Sequence, residues 1–173
     1  MLPQLCFFVS IAFSLIAWGA VARRYIWPEL RLRQRAEALR PILVLHSFRF
    51  IGLAFLVPGV VSPDLPMTFA HAAAYGDLAA AILALLSLAS LSYGAGIVIA
   101  WIFNLWGAAD LLNAFYQAGS AALMPGQLGA AYFLPTFIVP LLLITHGIAF
   151  RILTRAAVPL PSLSPQITGT RHL

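Results

Sequence analysis

The chain has 173 residues, of which 62% are hydrophobic and only 9% charged, against about a quarter charged in soluble domains; that excludes a water-soluble globular protein and fits an integral membrane protein. Its net charge of +5 comes from ten arginines, no lysine, three aspartates and two glutamates, and the clustering of the arginines in one segment points to membrane orientation and anionic lipid rather than nucleic acid. The single Cys6 excludes an internal disulfide or a cysteine metal cluster, and five spans of about 20 residues would use most of the length, leaving any chemistry to the bundle interior or its rims.

In chain order, the apolar run from Leu5 to Ala22 predicts a first span. Its end, Ala20-Val21-Ala22, resembles a signal-peptidase site, but the positive charge follows the run at Arg23 and Arg24 instead of preceding it. An uncleaved span with its N-terminus outside is therefore expected. Arg23 to Arg40 holds six of the ten arginines. From Pro28 the stretch predicts a short amphipathic helix on the cytoplasmic leaflet, with Leu32, Ala36 and Leu39 on one face and arginines toward lipid phosphate. Pro41 is expected to end it and to open the second span, Pro41 to Val61.

That second span carries His46 and Arg49 three residues apart, hence on one helical face. Two such groups need a shielded polar surrounding. A tight turn at Ser62 to Pro66 leads to the third span, Met67 to about Ser92. There Asp77 sits among Ala70, Ala73, Ala74, Ala80, Ala81 and Ala84 on a face open to close helix approach, while His71 shares the other side. A fourth span, Gly96 to Ala118, places Trp106, Asp110, Asn113 and Gln117 at steps of four, three and four. A lipid-facing aspartate costs roughly 2.5–3.5 kcal/mol at a helix centre, so this stripe is expected to face inward.

Gly119 to Ala131 reads as a plain outer loop, with re-entry toward the bundle as the alternative. Tyr132 to Leu153 is the fifth span, in which Pro140 predicts a kink that frees the Thr136 carbonyl. The tail from residue 156 to 173, which includes His172, lacks an apolar face and is expected to be disordered. The fold expected is thus all-α: one transmembrane domain over residues 1–155, spans near 5–22, 41–61, 67–92, 96–118 and 132–153, N-terminus outside and C-terminus cytoplasmic. With that orientation every arginine but Arg49 lies at or beyond the cytoplasmic interface, as expected for a multi-pass protein of the cell membrane, of bacterial inner-membrane type.

At about 1.5 Å per residue, Arg49 comes about 12 Å in from one end of its span and Asp77 about 15 Å from the other end of its own. The two can pair, with Asp110 slightly nearer the outside. One arginine against two aspartates leaves a carboxylate that needs a proton, a histidine or a cation. A helix lock needs a single pair, and Asn104, Asn113, Gln117 and His46 add a polar surplus that favours a ligand or proton site. His46 and His146 are in addition candidate axial ligands for haem b. No hydrolase, nucleotide or zinc motif is present. Three functions remain: a non-enzymatic protein that binds or translocates a small solute or proton, a haem- or quinone-binding redox subunit, and an assembly subunit of a membrane complex. Homo-oligomerisation is expected, because five spans are few for a complete path.

Overall fold

A computed structural model describes residues 2–120 and 123–155. The expected disordered tail and His172 lie outside the described residues. The described chain is helical throughout apart from its turns, with five helices long and apolar enough to cross a membrane: α1 (Leu2–Leu30), α2 (Arg35–Leu56), α3 (Met67–Ser90), α4 (Ala95–Ser120) and α5 (Leu134–Leu153). Their ends gather into two poles. One holds the α1–α2 and α3–α4 connections with most of the arginines, and the other holds Asp64 and the α4–α5 connection.

The first boundary differs from the sequence expectation. Residues from Pro28 do not start a separate surface helix, because α1 passes through a π turn at Ala22–Ile26 and continues over Trp27–Leu30. The wider turn just before Pro28 accommodates a ring that lacks an N–H and would crowd the carbonyl four residues back. The same device recurs in α5, where a π turn at Leu134–Ile138 precedes Pro140, so the expected kink takes that form. The break in the chain falls instead at residues 31–34. Pro41 lies inside α2, near its start, where it forgoes one backbone bond and ends nothing.

At the arginine pole, α5 closes onto α1. Arg155 Nη1 donates to the Leu30 carbonyl at 3.2 Å and to that of Arg31 at 3.4 Å, satisfying acceptors that a helix end leaves open. Arg35 Nη2 in turn donates to the Arg155 carbonyl. Both Arg151 and Arg155 stand over the Trp27 ring, 4.7 and 4.9 Å from its centroid, a cation–π contact on each.

At the opposite pole the segment between α4 and α5 is not a plain loop. Pro125–Tyr132 forms a short 3-10 turn that buries Pro125, Leu128 and Ala131. Ala130 N donates to the Val60 carbonyl at 2.7 Å, Ser62 N to that of Gln127 at 3.0 Å, and Gln127 Nε2 to that of Asp64 at 2.9 Å. Gly129, at φ 52°, rests against the Val60 carbonyl where any side chain would collide. The segment is therefore a cap fastened to the α2–α3 connection.

Two apolar clusters fill the bundle, one per pole. Leu39, Ile42, Leu43, Ala84, Ala100, Phe103, Ala149 and Ile152 pack at the arginine pole. Phe55, Leu65, Phe69, Ala70, Ala73, Ala74, Leu128 and Ala131 pack at the other. Between them runs a polar layer, and it is this stacking that positions the candidate site. The alanine face expected on α3 is buried throughout, which lets α2 and α4 approach closely on either side.

Candidate functional site

The polar layer centres on Arg49, whose side chain is 1% exposed. It sits where α2 tightens from α-helix to 3-10 helix at Phe48–Leu56, and His46 on the preceding turn is fully buried too. Arg49 Nε donates to Asp77 Oδ1 at 2.7 Å, with Nη2 also 2.7 Å from that oxygen. Nη2 donates to Asp110 Oδ2 at 2.7 Å. Nη1 donates to the Gly107 carbonyl at 3.2 Å and meets His146 Nε2 at 3.3 Å. All three nitrogens of the guanidinium thus donate to a partner, drawn from α3, α4 and α5.

The contact with a permanently charged donor assigns the His146 tautomer: Nε2 accepts, so the proton is on Nδ1. Nδ1 then donates to Asn104 Oδ1 at 2.7 Å, and Asn104 Nδ2 donates to the His146 carbonyl at 3.4 Å. Thr145 Oγ1 donates to the Leu141 and Leu142 carbonyls at 2.9 and 3.0 Å. It therefore accepts from His46 Nε2 at 2.9 Å. His46 Nδ1 has no partner among the described residues.

Three glycines on three helices make this layer possible. A Cβ at Gly52 would run into the Asp77 carboxylate, and one at Gly76 into that of Asp110. At Gly107 it would stand 2.6 Å from His146 Cε1 and 2.8 Å from Arg49 Nη1. Nothing in the sequence periodicity marks these glycines. They become meaningful only once the facing charges are known.

Of the expected site residues, Arg49, Asp77, Asp110, His46, Asn104 and His146 come together. Asn113 and Gln117 do not, and this corrects the inward-facing stripe on α4. Trp106 is 50% exposed and Asn113 is exposed, while Asp110 lies at the edge between the faces. A helix rotates 100° per residue, so steps of four, three and four spread a stripe that only its inner margin, Asp110, brings to Arg49. Trp106 and Asn113 instead border a groove outside α3 and α4, together with Tyr75 and Gly76.

The histidines do not fit the expected haem. Imidazoles on opposite faces of a haem are separated by two metal–nitrogen bonds of about 2 Å each, and their ring centres lie farther apart still. Here the His46 and His146 ring centroids are 4.3 Å apart, and Phe103 packs edge-on or tilted against both at 5.1 and 5.2 Å. Rings in contact leave no room for a macrocycle, and both His146 nitrogens are already engaged.

A cavity of ≈ 70 Å³ opens above the layer on the cap side. Its walls are apolar, with Phe55, Phe69, Phe115, Leu128 and Leu142 prominent, and its floor is Arg49, Asp77 and Asp110. Below the floor the histidine pair, Phe103 and the arginine-pole cluster close the bundle. The cavity is a pocket with one polar end.

The family described as "Domain of unknown function (DUF8737)" matches residues 6–154. No curated protein and no solved structure matches the chain.

Proposed function

We propose, for a chain that belongs to the DUF8737 family, an integral membrane protein that binds or carries a proton or small solute at the Arg49–Asp77–Asp110 cluster. It would span the cell membrane five times, N-terminus outside and arginine pole in the cytoplasm, in a membrane of the bacterial inner type. The observation that supports this reading is a charge imbalance beside a cavity. Two carboxylates share one guanidinium, and among the described residues the second oxygen of each accepts no protein hydrogen bond. His146 is neutral where it accepts from Arg49. Surplus negative charge in a low-dielectric layer is costly unless a proton or cation neutralises it.

At the other pole of the reading, Arg23, Arg24, Arg31 and Arg33 are exposed and would meet anionic headgroups, each worth about 1 kcal/mol near such a surface. A homo-oligomer finds support in the exposed Trp106 and Asn113, which are poor lipid-facing residues. The test is proton and solute flux in proteoliposomes: it should be present with the native chain and lost in Asp77→Asn with Asp110→Asn. Unchanged flux in that pair of substitutions would reject the reading.

A second reading has an observation of its own. The full engagement of Arg49 is what a charge lock in an assembly subunit requires. On that reading Arg49→Leu with Asp77→Asn and Asp110→Asn folds as well as the native chain and no flux is found in either.

A further inference from the structure

The geometry points to an amphipathic amine as the occupant of the cavity, its apolar body among the phenylalanines and its ammonium group on Asp110 and Asp77. This deepens the reading of the cluster as a ligand site and rests on it. The polarity of the cavity is one-ended. Arg49, Asp77 and Asp110 are the only charged or hydrogen-bonding side chains in its lining among the described residues, and the rest is aromatic, aliphatic or proline. A uniformly polar solute would leave the walls unsatisfied, and a uniformly apolar one would strip the floor of any polar partner.

The sign of the head group follows from the hydrogen bonds. All three guanidinium nitrogens already donate, to Asp77, Asp110, Gly107 and His146, so Arg49 is committed to partners within the layer and offers little to a carboxylate or phosphate. What the floor offers is carboxylate: Asp77 and Asp110 both line the cavity, with side chains 17% and 11% exposed and with one oxygen of each accepting no hydrogen bond from the described residues. An anion would meet like charge there. An alcohol would supply one donor and no charge. An alkylammonium supplies three donors and the missing positive charge in one group, and charge-assisted bonds of that kind are the stronger class.

The experiment uses the full chain in phosphatidylcholine nanodiscs, with empty nanodiscs as the blank, and equilibrium dialysis of isotope-labelled hexylamine. Saturable binding is expected, with 1-hexanol displacing it at least about tenfold less well than unlabelled hexylamine and hexanoate not displacing it. Asp110→Asn should weaken it by at least about tenfold. Ala114→Phe, which fills the cavity from α4 and leaves every charged residue in place, should abolish it; if Asp110→Asn does not fold, this variant and the order of displacement decide. Absence of saturable binding, equal displacement by hexanol or hexanoate, or full binding in Ala114→Phe would overturn the assignment. Should flux that depends on Asp77 and Asp110 persist while hexylamine fails to bind, the amine is wrong and the ligand site stands.

Discussion

Arg49 holds Asp77 and Asp110 at the same distance, 2.7 Å to each, so that one cation on α2 ties α3 and α4 into a single charged unit. The histidine and asparagine behind it bring in α5. Four of the five helices are thus joined through one side chain.

Removing that side chain alone leaves two carboxylates facing each other without compensation. Arg49→Leu is expected to lower stability by about 3–5 kcal/mol, the range for a broken buried pair. Adding Asp77→Asn and Asp110→Asn should recover most of the loss. Unfolding in detergent, followed for the single and triple variants, measures both.

The glycines give a contrast within one residue type. Gly76→Ala drives a methyl group into the Asp110 carboxylate and should cost about 1–3 kcal/mol, as overpacking does. Gly147→Ala, where an added Cβ meets nothing within 4 Å, should be neutral or stabilise by up to about 1 kcal/mol through helix propensity. Melting of the two variants side by side checks the ranking.

The histidine pair makes a spectroscopic and a thermodynamic prediction. Purified protein should show no Soret absorption from His46 and His146, since their rings already touch. Asn104→Leu orphans the His146 Nδ1 proton and should destabilise by about 1–3 kcal/mol, the cost of an unmet buried donor. Thermal unfolding of Asn104→Leu against the native chain reads the second.

Orientation can be tested with single introduced cysteines, since Cys6 is the one native thiol to remove. In a Cys6→Ser background, a cysteine at Asp64 should react with a membrane-impermeant maleimide added to intact cells. One at Arg33 should react only after the cells are opened. The reverse pattern would invert the topology.

Much of the bundle could be read from spacing and hydropathy. Helix α3 was predicted from Met67, where it starts, and its alanine face is the buried one. Depth counting brought Arg49 level with Asp77 because the residues counted to reach each, from Pro41 and from Met67, run almost wholly through α-helix, whose rise is fixed. What failed were features set by neighbours. The face of α4 turned on which helices flank Asp110, and periodicity alone could not separate Asp110 from Asn113 beside it. The π turns before Pro28 and Pro140 follow from local crowding that a binary helix-or-break reading does not contain. Gln127, in a stretch of small residues, gave no sign that its side chain would fasten the cap to Asp64. Gly52, Gly76 and Gly107 acquire their role only from charges on other helices.

The central claim is that, with no cation bound, a carboxyl group at the cavity floor takes up a proton to balance the surplus charge. Labelling with an apolar carbodiimide, which attacks protonated carboxyls in apolar surroundings, reads this directly when adducts are located by mass spectrometry. The account predicts an adduct on Asp77 or Asp110 and none on Asp64. Native protein with neither aspartate modified, or with labelling confined to Asp64, would contradict it.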